Sequence, residues 1–143
     1  MADNSPKAVV LRMLEAYNDH TPDVYITERF YDYYSDDFVF ESTATSQSPA
    51  RRFVGKQSNR ELLAQISGQL RDSHQEAHDV ISEGDRVAVR FTWTGIVRAT
   101  EQKVRMDAVD FFTVRDGLIQ EVMDTAGPIL PVEGDAAREQ TNG

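Results

Sequence analysis

The most constraining feature of this sequence is the alternation of large apolar side chains with small or polar ones in residues 86–94, RVAVRFTWT. Alternation with a period of two predicts a β-strand with one buried face. A second β-like run, residues 103–114, and a return run, residues 118–125, flank a tight turn at residues 115–117. Runs joined by such short turns predict antiparallel hairpins. The apolar residues expected on one face of the first strand are Val87, Val89, Phe91 and Trp93.

The N-terminal part of the chain carries helix signals instead. Ser5 and Pro6 indicate a helix start, because a hydroxyl side chain caps helix ends and proline suits the first helical position. The aromatic stretch 24–34 predicts a second helix, and residues 38–42 predict a short strand after it. The apolar residues at helical spacing in the first helix are Val10, Met13, Leu14 and Tyr17.

A third helix is predicted after a polar loop at residues 43–50, because Ser58 and Glu61 have the spacing of a capping box. Helices first and antiparallel strands afterwards predict an α+β fold, with one curved sheet wrapped around the helices. We expect a single domain over residues 1–127, followed by a partly disordered tail over residues 128–143.

Composition excludes several classes of function. With 24 acidic and 15 basic side chains the net charge is −9, which argues against nucleic acid and anionic membranes as partners, since both require a basic surface. The absence of cysteine excludes disulfides, zinc–thiolate sites and thiol nucleophiles. No apolar run approaches the roughly 18 residues of a membrane span, and the N-terminus lacks a secretion-signal pattern. We therefore expect a cytoplasmic protein that binds a small molecule or another protein.

The sequence predicts no cofactor and no metal site. Its eight glycines form neither a phosphate-binding loop nor a dinucleotide fingerprint. His74 and His78 have the four-residue spacing of two metal ligands on a helix. Their segment borders a predicted strand, where that spacing does not converge, so we interpret both as surface residues.

Two acidic residues lie inside apolar strand sequence, Asp110 in AVDFF and Asp124 in VMDTA. A carboxyl on an apolar face is either paired with a cation or has a raised pKa, because desolvation disfavours the charged form. Such a group can exchange a proton near neutral pH, as general acid–base catalysis requires. The alternative is a structural ion pair with Arg90 or Arg105, or a solvated strand edge. Asp107 alternates to the opposite face.

Three further residues are candidates for the same site. Tyr17 could direct its hydroxyl into a shared cavity from the first helix, or it could be an ordinary core tyrosine. Arg90 and Thr92 share one strand face and could supply an anchor and a hydroxyl; the alternative for Arg90 is a salt bridge. The apolar face around Trp93 is explained more simply as a packing or dimer face than as a ligand platform.

Four motifs resemble nuclear-transport-factor-2-like proteins, and among them SnoaL-like polyketide cyclases and ketosteroid isomerases: MLEAY (13–17), FYDYYSDDF (30–38), EGDRVAVRF (83–91) and VDFFTVRDGLIQE (109–121). The resemblance covers residues 8–126. It implies a cone-shaped, cystatin-like roll in which three N-terminal helices pack into a strongly curved antiparallel sheet around an internal apolar pocket. It also implies homodimers formed through the sheet.

The resemblance implies roles for four positions. In ketosteroid isomerases a tyrosine of the first helix and a protonated aspartate of a late strand form the oxyanion hole, and these positions hold Tyr17 and Asp110. The isomerase base position holds Ser42, which argues against ordinary ketosteroid isomerisation. In SnoaL-like cyclases an aspartate of the last strand is the acid/base, and Asp124 matches it.

Epoxide hydrolases of this fold use an Asp-Arg-Asp set. Arg90 and Asp124 match two of its members, but Thr92 stands at the remaining aspartate position. Epoxide hydrolysis is therefore the less favoured reaction.

Our first hypothesis is an enzyme for cofactor-free isomerisation, cyclisation or dehydration of a largely apolar carbonyl compound such as a polyketide, steroid or terpenoid. Asp124 is the expected acid/base, and Asp110 and Tyr17 are the expected donors to a developing enolate. The second hypothesis is a non-catalytic ligand-binding or dimeric accessory protein. The residues expected to contact the substrate are Ser42, Arg90, Thr92, Phe112 and Val122.

Overall fold

A computed structural model describes residues 3–132 as two α-helices, one 3₁₀ helix and a seven-stranded sheet. The helices are α1 (Pro6–Asn18), the 3₁₀ helix (Glu28–Tyr33) and α2 (Lys56–Gln69). The strands are β1 (Tyr34–Ser42), β2 (Arg51–Val54), β3 (Leu70–Glu83), β4 (Arg86–Val97), β5 (Gln102–Arg115), β6 (Leu118–Ala126) and β7 (Leu130–Pro131).

The sheet explains how the chain surrounds its core. Its strand order is β2-β1-β6-β5-β4-β3, and β7 pairs with β5 outside this path. Neighbouring strands are antiparallel except β1 and β6, which are parallel. The helix α1 contacts β3, β4, β5 and β6, so the sheet curves around it. The predicted α+β fold is confirmed.

The two faces of the sheet differ in burial as the alternation in β4 predicts. Val87, Val89, Phe91 and Trp93 are buried and belong to the core. The residues between them, including Arg90, lie on the outer face. The apolar face around Trp93 therefore packs against the helices and is not a dimer surface. Burying it supplies about 25 cal/mol of stabilisation for each Å² of apolar surface removed from water.

The start of α1 follows from its sequence. Ser5 caps the helix through its side chain, which accepts a hydrogen bond from the backbone N–H of Ala8, and Pro6 occupies the first helical position. This prediction is confirmed. The buried residues of α1 are Val9, Val10, Met13, Leu14, Ala16 and Tyr17.

The other two predicted helices differ from the structure. The aromatic segment forms only the short 3₁₀ helix, because its rings pack on the core one after another; the centroids of Phe30 and Tyr34 are 4.8 Å apart. The third helix begins at Lys56 and not after Ser58. Its N-cap is Gly55, with φ 88°, and the Asn59 side chain donates to the Gly55 carbonyl.

Two stretches of sheet were not predicted. β2 is a short and mostly exposed edge strand, so it lacks an apolar alternation. β3 begins at Leu70. Its first half was not predicted as a strand, because it is polar and is interrupted by a register shift between Arg71 and His74.

The tail beyond residue 127 is described only in part. Leu130–Pro131 pairs with β5 as β7, and residues 133–143, where most of the predicted disorder falls, lie outside the described residues. Within residues 3–132, no helix is both long and apolar enough to cross a membrane.

Candidate active site

Asp110 of β5 and Asp124 of β6 lie directly opposite each other in the sheet. Counting back from the 115–117 turn, an uninterrupted hairpin would place Met123 opposite Asp110. A β-bulge near Thr113 shifts the register by one residue, which turns Asp124 onto the inner face. Side chains opposed in this way have Cβ atoms about 4.5–5.5 Å apart. We call Asp110 and Asp124 the carboxyl pair.

The carboxyl pair is buried without compensation. Asp110 is 8% exposed, and Asp124 is half-buried. Within residues 3–132, one oxygen of each side chain, Oδ1, is buried and has no hydrogen-bond partner. Burial raises the pKa of Asp110 well above its ordinary value of 3.8, and the adjacent Asp124 raises it further, both as a hydrogen-bond partner and through its charge.

The cations named as alternative partners lie elsewhere. Arg90 pairs with Asp79 at 2.6 Å, and Arg105 pairs with Asp107 at 3.0 Å, both on the outer face. Within the described chain, no ion pair includes Asp110 or Asp124. The structural ion pair is therefore not the role of either acid.

Arg90 and Thr92 are not brought to the carboxyl pair. Both lie on the outer face, where the Thr92 hydroxyl donates to Asp107 at 2.7 Å and accepts from His78, whose Nε2 lies 2.8 Å away. The expectation that they contact a substrate at the carboxyl pair is corrected for this reason, since strand alternation sends them to the opposite side of the sheet from Asp110.

Three other predicted contact residues do surround the pair. Ser42, at the end of β1, lies directly opposite Asp124, and the next residue donates its backbone N–H to the Asp124 carbonyl at 3.0 Å. Phe112 and Val122 are buried and lie opposite each other, each two residues from the acid of its own strand and on the same inner face. They form apolar wall beside the carboxyl pair.

Tyr17 belongs to a second polar group in the interior. Its hydroxyl is hydrogen-bonded to the hydroxyl of Ser73, which also accepts the indole N–H of Trp93 at 2.7 Å. Ser73 is completely buried. We call these three residues the Ser73 cluster. The described hydrogen bonds thus join Tyr17 to Ser73 and not to Asp110.

Tyr25 lies between the two polar groups. Its ring centroid is 6.2 Å from that of Tyr17 and 6.5 Å from that of Trp93. Burial raises the pKa of the Tyr25 phenol, and the Asp124 charge contributes in the same direction. Sequence reasoning missed Tyr25 and Ser73, because nothing in a polar β3 or an aromatic loop segment shows which side chain points inward.

Two cavities among the described residues lie outside the carboxyl pair. One of about 370 Å³ is bounded by the end of β1 and the start of β2, including Ser42 and Arg51. The other, of about 110 Å³, lies between Val39, Phe111 and Glu121. The carboxyl side chains line neither of them. In residues 3–132, no three His, Asp or Glu side chains are grouped to hold a metal ion.

Comparisons with known proteins agree with this fold. A family model for the SnoaL-like domain matches residues 10–122. The chain therefore belongs to the SnoaL-like domain family. No curated protein sequence matches it significantly.

Solved structures with the same fold are distant in sequence. A proposed isomerase from Bacillus subtilis has a TM-score of 0.69 and 20% identity, covering 89% of this chain and 91% of that one. IdmH, a proposed polyketide cyclase from Streptomyces antibioticus, has a TM-score of 0.65 and 18% identity, covering 85% and 91%. A protein of ketosteroid isomerase-like fold from Catenulispora acidiphila, in complex with trimethylamine, has a TM-score of 0.65 and 13% identity, covering 81% and 82%.

Proposed function

We propose that this protein catalyses a cofactor-free proton transfer on a small, largely apolar carbonyl compound, with the carboxyl pair as its acid–base machinery. The observation that carries the proposal is that two carboxyls lie opposite each other on the inner face and that no cation of residues 3–132 pairs with either. Structural neighbours described as an isomerase and a polyketide cyclase support this class of reaction.

The two acids differ in burial, Asp110 being the more buried, and this difference divides their roles. Burial and the neighbouring Asp124 raise the pKa of Asp110, which favours its protonated form, so in this proposal Asp110 donates a hydrogen bond to the substrate oxygen. Asp124 removes a proton from the carbon next to the carbonyl, and the negative charge moves to that oxygen. Asp124 then returns the proton to carbon in an isomerisation, or to a leaving hydroxyl in a dehydration.

The remaining predicted residues have supporting roles in this proposal. Phe112 and Val122 supply apolar surface, and Ser42 lies beside the base. Tyr17 holds α1 against β3 through its hydrogen bond in the Ser73 cluster, and it does not donate directly to the substrate. The neighbour in complex with trimethylamine supports a site that takes small organic molecules.

Deuterium exchange tests the proposal without knowledge of the natural product. Rigid ketones such as 2-decalone are incubated in D₂O, and loss of their α-proton signals is followed by NMR. We expect the wild-type protein to accelerate exchange and Asp124→Asn to lose about 100-fold or more, as is typical when a general base is removed. Asp107→Asn, on the outer face of the same sheet, is the matched control. Equal exchange by wild type and Asp124→Asn would contradict the proposal.

A second candidate is a non-catalytic binding protein of the same fold. Two observations favour it: Ser42 stands at the isomerase base position, and neither described cavity reaches the carboxyl pair. This candidate predicts ligand-induced stabilisation in the same ketone panel with no exchange above the buffer rate.

We also propose a cytoplasmic homodimer formed through the outer face of the sheet. Phe111 and Ile81 support this proposal, because they lie on that face with 41% and 68% of their surface exposed. Large apolar side chains at such positions favour contact with a partner. Sedimentation of the purified chain tests the dimer, and a monomer at all concentrations would contradict it.

A further inference from the structure

We propose that the carboxyl pair binds an apolar organic ammonium ion carrying at least two N–H groups. The inference shares with the proposed function only the premise that a small molecule reaches the carboxyl pair. It requires no proton transfer on a carbonyl compound.

The first argument is the geometry of the acceptors. Oδ1 of Asp110 and Oδ1 of Asp124 are both buried, and neither has a donor within residues 3–132. They belong to directly opposed residues, whose Cβ atoms are typically about 4.5–5.5 Å apart, so we infer that one ligand nitrogen beside the pair donates to both carboxyls. Buried acceptors without donors are costly, and a donor that satisfies two of them removes that cost.

The second argument is charge. Within residues 3–132 no cation pairs with either acid, and the arginines nearest in sequence pair with outer-face carboxylates. A buried charge without a counter-ion is unfavourable. A ligand cation compensates it, and a hydrogen bond from N⁺–H to a carboxylate is about twice as strong as a neutral one.

The third argument is the apolar and aromatic surroundings. Phe112 and Val122 flank the pair. Burial raises the pKa of both Tyr25 and Tyr34, and the proximity of Asp124 to the first and of Asp110 to the second contributes in the same direction, so both phenols lie near the pair. The Tyr34 ring packs against Phe38, with centroids 4.5 Å apart. Aromatic faces attract cations, and the apolar walls suit an aryl or alkyl substituent.

Three matched probes test the proposal: benzylammonium, benzyl alcohol as its neutral analogue, and benzyltrimethylammonium, which is a cation without N–H groups. Binding is measured by isothermal titration calorimetry on the full chain. We expect benzylammonium to bind at least about tenfold more tightly than either of the other probes, because only it offers both charge and N–H donors. Equal binding of benzyl alcohol or of benzyltrimethylammonium would overturn the proposal.

Variants locate the binding site. Asp110→Asn and Asp124→Asn should each weaken benzylammonium binding by about tenfold or more, whereas Asp107→Asn should bind as the wild type does. Unchanged binding in both inner-face variants overturns the assignment. If a variant fails to fold, the ranking of the three probes on the wild-type protein decides.

The inference and the proposed function can fail separately. Benzylammonium binding without α-proton exchange in any ketone contradicts only the reaction. Exchange that depends on Asp124, without preference for benzylammonium, contradicts only the ammonium site.

Discussion

Two of the polar groups in the interior of this protein are handled in opposite ways. In the Ser73 cluster, one buried hydroxyl is hydrogen-bonded to Tyr17 and accepts from Trp93. In the carboxyl pair, an oxygen of each acid has no partner within residues 3–132. A satisfied buried network adds rigidity at little cost, whereas unsatisfied buried acceptors reduce stability.

This difference separates a structural polar group from a functional one. The Ser73 cluster ties α1 to β3 and β4, and its donors and acceptors are used within the protein. The carboxyl pair leaves acceptor capacity and charge for a ligand. Unsatisfied groups and raised acid pKa values concentrate at functional sites, so the pair is where chemistry is expected, although both groups are equally internal.

Removal of the shared hydroxyl should have the largest effect on stability. Ser73→Ala leaves the Tyr17 hydroxyl and the Trp93 N–H without their partner, and each buried orphan costs about 1–3 kcal/mol. We expect a loss of about 3 kcal/mol in the free energy of unfolding, measured by urea titration. Ser82→Ala, at an exposed serine of the same strand, is the control. A loss as small as that of the control would show that the cluster is not structural.

Replacement of the buried Asp110 by asparagine should raise the free energy of unfolding, whereas Ser73→Ala lowers it. The folded-state pKa of Asp110 lies above 3.8, so ionisation costs stability as pH rises from 3.8 through the folded pKa. Asp110→Asn removes that cost, which amounts to about 1.4 kcal/mol for each unit of pKa shift. We expect the variant to be more stable than wild type at neutral pH and the gain to vanish as pH falls towards 3.8. Thermal melts across this range measure it; a variant less stable at every pH would refute the buried-charge account.

The smallest effect on stability is expected at Asp107, which lies on the same strand as Asp110 but on the outer face. Hydrogen bonds from Thr92 and Arg105 lower the pKa of the exposed Asp107. Its stabilisation is therefore present above pH 3.8 and is lost as pH falls through the lowered pKa. Asp107→Asn should be slightly less stable than wild type at neutral pH, with no difference in strong acid. A pH trend in melting temperature matching that of Asp110→Asn would mean that the two faces are not electrostatically distinct.

Much of this arrangement could be predicted from the sequence because strands alternate strictly. The alternation in β4 identified the inner and outer faces of the sheet. The apolar neighbours of Asp110 and Asp124 predicted that both lie on the inner face, and strand alternation predicted that Asp107 lies on the outer face. The pairing of the two acids depends in addition on a β-bulge. No residue type near Thr113 indicates a bulge. The sequence therefore suggested that the two acids share a cavity, but it did not predict the register that places them opposite each other.

Other features required the three-dimensional structure. Arg90 matched a position of the epoxide hydrolases of this fold, and Thr92 was expected on the same strand face as Arg90, yet that face is the outer one. Ser73 is buried beside a register shift in β3, within a stretch too polar to predict as a strand. Such irregularities override local pattern, because tertiary packing decides which side of a strand is buried.

The parallel pairing of β1 with β6 has a consequence for how the molecule is made. β6 lies between β1 and β5, so the β1–β2 hairpin has no place in the sheet until residues 118–126 have been synthesised and inserted. Contacts so distant in sequence form slowly, because the long loop between them must close first. The strand β1 can therefore join the sheet only after β6 has formed, and Ser42 and Asp124 become neighbours only when these two strands pair. Any delay in this step leaves an open sheet edge, which is the state most prone to aggregation.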